Sequence, residues 1–586
     1  MRQRGTRGSV GRGGLAWLLG LSSIGSLGTL TGCYGGLAGV DRRLDRVLEQ
    51  RSAELSPYVS APGRVFADAD AYDDPAQGDV GPVTTNPVPE AIEQAVAAPD
   101  RDVAARLDAY LLEDVADTDD PDVLRIDLTR ALEISQDSAR EFLTAQESYI
   151  LSAIRLLVQR HLFNPRLFNQ TSATFAGDGT DGRFTAALTV LNELGVRRRF
   201  QSGGEVTASW LVQATEDLRE GATDRYQQSS SIVLSGNFPL LRGAGAVARE
   251  LLVQAERDLV YAARTFERFR RTLLVRIASD YFGLIQQRAS IENQLRRIAS
   301  LEQIVAETDA KIDAGRLRKF QQGIAASDLL AARAGLAGQR DSYRLSEDRF
   351  KVRLGLPVDR AIIIVPVTLE LPEPDITPAE AARRALDYRL DLQTTRDQVL
   401  DARRGVEVAR NGLLPDLDLS ARIDLPTDPD VDEPYLAYSG EDLSYSAGVT
   451  LDLPLDRVVE ELGLRSAIIE VERAIRGYEE DRDDVVVDAR AAVRQIELSR
   501  FQLSLAEEQV RINRERKRGQ DLDPENVTTQ ERLDTENALL SAENARDQAL
   551  TDLRIAILEY LLDTGQMRVE NDGTIAPIGG IDVRQP

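Results

Sequence analysis

The chain has 586 residues, 42% of them hydrophobic and only 5% aromatic, with a formal net charge of −25 at pH 7. Such acidity excludes a nucleic-acid partner, whose phosphates need a basic surface. A single His (His161) and a single Cys (Cys33) leave imidazole catalysis, disulfides and His- or Cys-rich metal sites almost without material.

At the N-terminus, Arg2, Arg4, Arg7 and Arg12 precede an apolar stretch from Leu15 to Leu30. A basic start, a short apolar segment and small residues before a cleavage point make an export signal. The stretch falls short of the roughly 20 residues a spanning helix needs. Its ending, Leu30-Thr31-Gly32-Cys33, resembles the bacterial lipoprotein box, which implies removal of residues 1–32 and lipidation of Cys33. Losing that signal peptide takes away four Arg and no acid, so the mature charge is −29. Acyl chains partition at about 0.8 kcal/mol per buried CH₂. Tyr34, being other than Asp, implies outer-membrane delivery under the Gram-negative sorting pattern. Residues 33–125 read as the lipid anchor and a flexible linker, rich in Pro, Asp, Gly and Ala over 57–100, with a short helix about 41–54. No later stretch approaches about 20 apolar residues, which leaves membrane β-strands open.

From about residue 127 the chain becomes helical. Leu252, Leu259, Phe266 and Leu273 recur every seven residues; Ile277, Leu284, Ile291, Ile298, Val305 and Ile312 continue after a shift of four. That spacing predicts a coiled-coil helix over 243–312, about 105 Å long. A second long helix fits about 456–518, and shorter ones fit about 127–162, 321–355, 378–412 and 524–563. Short helix, strands, long helix, turn and short helix occur twice in that order, with Leu252–Arg257 corresponding to Ile468–Arg473.

Between the helices lie segments of period two. Leu417, Leu419, Ala421, Ile423 and Leu425 oppose Asp416, Asp418, Ser420, Arg422 and Asp424; Tyr445, Val449 and Leu451 oppose Ser444, Ser446, Thr450 and Asp452. Val206, Ala208, Trp210 and Val212, then Ile232, Leu234 and Phe238, make the earlier pair. Strands are expected at about 204–214, 229–240, 415–425 and 444–454. Their length suits a tilted bilayer crossing, and a charged inner face with an apolar outer face suits a water-filled barrel.

Four short signatures then carry a family resemblance: Asn237-Phe238-Pro239-Leu240 running to Gly245, Leu413-Leu414-Pro415-Asp416-Leu417, Ala314-Gly315-Arg316-Leu317, and Leu354-Gly355-Leu356-Pro357. In this order they resemble the TolC-type outer-membrane efflux ducts over about 125–565. The resemblance implies a fold that is mainly α with β: long antiparallel coiled-coil hairpins plus transmembrane strands in two internal repeats, forming a trimeric α-barrel and β-barrel. Repeat 1 would cover 126–357, an equatorial connector 358–377, repeat 2 378–565 and a C-terminal tail 566–586. Each chain of the homotrimer would give four strands to a twelve-stranded barrel. Four strands alone would leave sheet edges open in lipid. Residues 165–203, including Gly195-Val196-Arg197-Arg198-Arg199-Phe200, depart from the pattern and read as a hairpin outside the barrel or as extra strands within it.

The resemblance also places the site residues. Glu531 and Asp534 share a helix face at i, i+3 and fall where these ducts hold an acidic constriction, six carboxylates around one axis in a trimer. Hairpin tips about 313–320 and 518–524 would meet a periplasmic adaptor, through Gly315, Arg316 and Leu317 in the first copy and Arg518 and Gly519 in the second, which lacks the same motif. Both glycines also read as helix ends. Asp416, Asp418, Asp424 and Asp452 would line the barrel lumen and favour cations. No catalytic spacing, metal site or cofactor motif stands out. The expected role is a passive outer-membrane exit duct of a tripartite efflux pump or type I secretion system, working with an adaptor and an inner-membrane transporter. The competing reading is a periplasmic adaptor or structural coiled-coil lipoprotein without a pore.

Overall fold

The computed structural model describes residues 42–50, 123–180, 183–217, 226–366, 374, 376–427, 437–523, 526–569 and 575–577. The signal peptide, Cys33, Tyr34 and residues 51–122 lie outside the described residues. Helix α1 covers 42–50, inside the expected 41–54, and belongs to a separate N-terminal unit.

The larger unit runs β1 (Leu124–Ile126), α2 (Leu128–Ser138), α3 (Arg140–His161), β2 (Arg166–Thr180), β3 (Arg183–Arg199), β4 (Glu205–Asp217), β5 (Tyr226–Pro239), α4 (Glu250–Asp313) and α5 (Phe320–Leu354). It continues with β6 (Ile362–Ile364), α6 (Pro378–Tyr388), α7 (Leu390–Gly412), β7 (Asp416–Pro426), β8 (Ser444–Asp452), α8 (Val458–Leu522), α9 (Thr529–Asp563), β9 (Met567–Val569) and β10 (Ile575–Pro577). The two hairpins match in length: 64 and 35 residues for α4 and α5, 65 and 35 for α8 and α9. A 65-residue helix spans about 97 Å.

Helices α3 and α5 lie along α4, helices α6, α7 and α9 lie along α8, and α9 also packs on α4, joining the hairpins. The seven-residue stripe is the core it predicts, with Leu259, Phe266, Leu273, Ile277, Leu284 and Ile298 buried. Towards the tips, Ile298, Leu301 and Ile304 meet Ala332, Leu336 and Leu533 in one apolar cluster. Strands β1 and β6 pair in parallel, and the Tyr281 hydroxyl donates to the Val365 carbonyl at 2.5 Å, fastening the connector to α4.

Two helices expected to be continuous are each broken once, at Ala139 (φ −66°, ψ 121°) and at Arg389 (φ −68°, ψ 120°). Neither break has a local proline or glycine; both are made by tertiary contact. The end of α5 butts against the first, where Gly355 (φ +79°) approaches so closely that a Cβ would lie 2.0 Å from the Ser138 carbonyl oxygen. The Ser138 hydroxyl donates to the Leu354 carbonyl there, at 2.9 Å. Gly565 (φ +70°), just after α9, meets Tyr388 beside the second break in the same way, with a Cβ at 2.8 Å from its carbonyl.

All the long strands form one antiparallel sheet in the order β2-β3-β4-β5-β7-β8. The four expected strands appear as β4, β5, β7 and β8. The sheet has six strands rather than four, because the hairpin over 166–199 hydrogen-bonds along β4; of the two readings left open for 165–203, added strands is the one the sheet favours. Its β3 carries Leu188, Val190, Leu194 and Val196 on one face, which continues the apolar face of β4 at Ala214, Trp210 and Ala208. A row crosses the whole sheet as Leu167, Val196, Ala208, Leu234, Ile423 and Tyr445. The row beside it on the opposite face reads Arg166, Arg197, Thr207, Ser235, Arg422 and Ser446. One face is apolar and the other polar across six strands. Polar residues do interrupt the apolar face, among them Arg198, Glu216, Gln228 and Ser230; in the added hairpin they bond one another, Asn192 donating to Asn169 at 2.9 Å and to Thr171 at 2.6 Å.

Candidate functional site

Alternation puts Asp416, Asp418, Asp424 and Asp452 on the polar face of the sheet, as expected. Two of the four are paired with arginines, however. Asp424 pairs with Arg422 at 3.0 Å, and Asp416 lies 3.7 Å from Arg242, which also reaches Glu460 at 3.8 Å. Arg197 and Glu205 pair on the same face at 3.2 Å. The polar face, read from the sequence as carrying Asp416, Asp418, Asp424 and Asp452 with Arg422, therefore holds more cations than expected. The missed cations are Arg166, Arg197 and Arg199, which the added hairpin brings onto this face; their spacing of two around Arg198 was the available signal. Asp416 lies directly opposite Asp452 in the register, a like-charged pair.

On the apolar face, the Trp210 indole N–H donates to the Ser230 hydroxyl at 2.7 Å and to the Tyr438 hydroxyl at 2.8 Å. An exposed aromatic with its polar tip satisfied suits a surface that meets lipid. Tyr445, Val449, Leu451 and Leu453 on and after β8 are exposed.

The first hairpin turns over 314–319. Gly315 (φ +71°) takes the left-handed conformation, and the Arg316 N–H donates to the Lys311 carbonyl at 2.8 Å, closing a helix-ending turn. Arg316 is exposed and Leu317 half-buried. The second tip differs from expectation. Helix α8 runs through Arg518 and Gly519 to Leu522, so Gly519 does not end it. An interior glycine costs only about 1 kcal/mol. The helix stops at Asp523 (φ −132°, ψ 62°), which precedes Pro524 and is biased away from helical backbone.

Glu531 and Asp534 both lie exposed on the first turns of α9. Glu531 has a local structural task. Its carboxylate accepts from the Thr528 backbone N–H and hydroxyl, both at 2.9 Å, while the Thr528 hydroxyl accepts from the Glu531 N–H at 3.2 Å. This capping box starts α9. The same hydrogen bonds, led by the backbone one, hold the Glu531 carboxyl below its ordinary pKa. Asp534 accepts from Gln530 at 3.0 Å.

Behind these residues, charged pairs tie the hairpins together. Arg532 donates to Glu307 at 2.5 Å, and this bond is the main cause of that carboxyl's lowered pKa. Glu536 accepts from Ser300 at 2.6 Å and pairs with Lys517 at 2.7 Å. Glu543 reaches Arg296 of α4 at 3.5 Å and, within its own hairpin, pairs with Arg514 at 2.7 Å. At the other end of the hairpins, Arg389 bridges Asp391 and Asp488 at 2.8 and 2.9 Å, and Arg271 donates to the Gly565 carbonyl at 3.2 Å. Among the described residues no group of His, Cys, Asp and Glu is arranged to hold a metal ion, and no helix is long and apolar enough to cross a membrane.

Residues 381–519 match the model of the outer membrane efflux protein family. No curated protein matches the chain in sequence. Solved structures do match its fold. The OprN outer-membrane channel is 16% identical with a TM-score of 0.57, over 76% of this chain and 90% of that one. The Campylobacter jejuni CmeC outer membrane channel is 13% identical with a TM-score of 0.58, over 75% of this chain and 85% of that one. The open state of the Neisseria gonorrhoeae MtrE outer membrane channel is 14% identical with a TM-score of 0.53, over 75% and 88%. Hairpins, sheet and matches agree: residues 381–519 carry the outer membrane efflux protein signature, and the chain is built on the fold of outer-membrane channels.

Proposed function

We propose that this protein is a passive outer-membrane exit duct, the outer component of a tripartite efflux pump or type I secretion system. The observation that supports it most is the sheet. Six strands separate an unbroken apolar row from an unbroken polar one, beside two hairpins of about 97 Å. A sheet with one face for lipid and one for water must close, since unpaired edges in lipid cost several kcal/mol per group. Copies of the same chain close it. A homotrimer also accounts for the second hairpin, where Leu498, Phe501, Leu505 and Ile512 make an exposed apolar stripe on α8. The pore-less adaptor reading is not favoured, because the similar structures are outer-membrane channels.

In this duct Cys33 carries the lipid anchor and the body projects into the periplasm. The tip Gly315-Arg316-Leu317 meets a periplasmic adaptor, which links the duct to an inner-membrane transporter. The longer α8 presents Arg518 one turn short of its own tip. Glu531 and Asp534 ring the constriction. Because arginines offset part of the acid on the sheet's polar face, cation preference is assigned chiefly to this helical end of the tunnel. Planar-bilayer recording tests the reading: the purified, lipidated protein should conduct, with cation preference falling in Glu531→Ala/Asp534→Ala. A protein that does not conduct would end it, and anion preference would remove the acidic ring from it.

A further inference from the structure

Building on the duct reading, we propose that neighbouring copies join through β2 of one chain and β8 of the next. Three chains then close an eighteen-stranded barrel, with Arg166 set against Asp452 at each seam.

The edges come first. In the sheet order only β2 and β8 are outermost; β4, which a four-strand contribution would leave as the edge, is paired along Glu205–Asp217 by β3. Crossing the sheet, five antiparallel steps leave β8 opposite in direction to β2. The β2 of a following copy therefore meets β8 as an antiparallel neighbour, and the alternation continues around the ring.

The register follows from the stagger of the strand ends. The row that starts at Arg166 reaches Ser446, yet β8 continues to Asp452, six residues further. The ends between them step in the same direction. Along this row β3 ends two residues past Arg197, β4 begins two before Thr207, β5 ends four past Ser235 and β7 begins six before Arg422. The shift is about one residue per strand, or about 3.3 Å for each 4.8 Å across the sheet, a tilt of about 35°. Closed barrels have tilts of about 35–45°. The chain thus holds the stagger of a barrel, and the next β2 begins level with Asp452.

The side chains agree with that alignment. Arg166 faces Asp452, Gln170 faces Gly448 and Ser172 faces Ser446 on the polar side; Leu167 faces Leu451 and Ala173 faces Tyr445 on the apolar side. A shift by one residue would turn every one of these to the wrong face. Charge completes the argument. Asp452 stands opposite Asp416, while the Arg166 Nε is buried without a hydrogen-bond partner among the described residues. The seam brings that guanidinium to the acidic pair.

Disulfide trapping in outer membranes carrying the full chain tests the seam. Oxidised Asn169→Cys/Val449→Cys should give disulfide-linked chains on non-reducing gels. Thr207→Cys/Thr450→Cys, which would be neighbours if β4 were the edge of a twelve-stranded barrel, should give none. Crosslinking of the second pair instead, or of neither pair in a trimer, would overturn the seam and leave the duct standing. A chain that stays monomeric would overturn both. Asp452→Arg alone should reduce detergent-resistant trimer about tenfold, and Arg166→Asp/Asp452→Arg should restore it. A reversed pair no better than Asp452→Arg would also count against the seam.

Discussion

The two hairpins have almost the same length and opposite surroundings. Helix α4 is the spine of the chain, with Leu259, Phe266, Leu273, Tyr281 and Phe282 buried between α3, α5 and α9. Helix α8 buries a shorter set, Val485, Ala489, Val493, Ile496 and Val510, and leaves Leu498, Phe501, Leu505 and Ile512 exposed. Equal length does not mean equal burial. Helix α4 is finished by its own chain, whereas in the proposed trimer the exposed stripe of α8 would be finished by the next copy.

Substitution on the two spines breaks or sharpens this contrast. Phe282→Ala should cost about 3–5 kcal/mol in denaturant unfolding, because its cavity lies inside the chain. Phe501→Ser should change the stability of the separated chain by no more than about 0.5 kcal/mol while depleting trimer on native gels. Equal effects of the two on unfolding would erase the distinction. The joints come next. Gly355→Ala combines a left-handed backbone with a 2.0 Å approach to Ser138, and should destabilise by about 3 kcal/mol or more. Gly565→Ala meets Tyr388 at 2.8 Å and should cost less in the same thermal melt. Thr528→Ala removes the cap of α9 and should cost about 1 kcal/mol, read as earlier hydrogen exchange at the second tip.

The smallest effect is electrostatic. Arg532 holds the Glu307 carboxyl below its ordinary value, so the unfolded chain binds this proton more readily than the folded one. The bond's contribution is present above the ordinary carboxylate range and is lost as the pH falls through the lowered folded value. Melting midpoints of wild type and Arg532→Met should differ at neutral pH and converge in acid. A gap that widens in acid would reverse this sign.

The helices were legible because a seven-residue stripe dictates a lengthwise packed surface, and β7 and β8 because their alternation is nearly clean. What escaped has physical causes. The breaks at Ala139 and Arg389 come from glycines more than 170 residues away in the chain pressing on them, which no local pattern encodes. The hairpin of β2 and β3 shows in the sequence but its place in the sheet does not, since Asn169, Thr171 and Asn192 interrupt its apolar face until the sheet lets them bond one another. The place of Arg166, Arg197 and Arg199 on the polar face is hidden for the same reason. Gly519 misled in the other direction. A glycine is permitted to end a helix, but Asp523 before Pro524 compels the end.

The most direct measurement is the mass of the lipidated protein in mild detergent, taken on the same sample that is placed in a planar bilayer. Three chains per particle and steady conductance are the predicted result. A single chain that leaves the bilayer insulating would contradict the account.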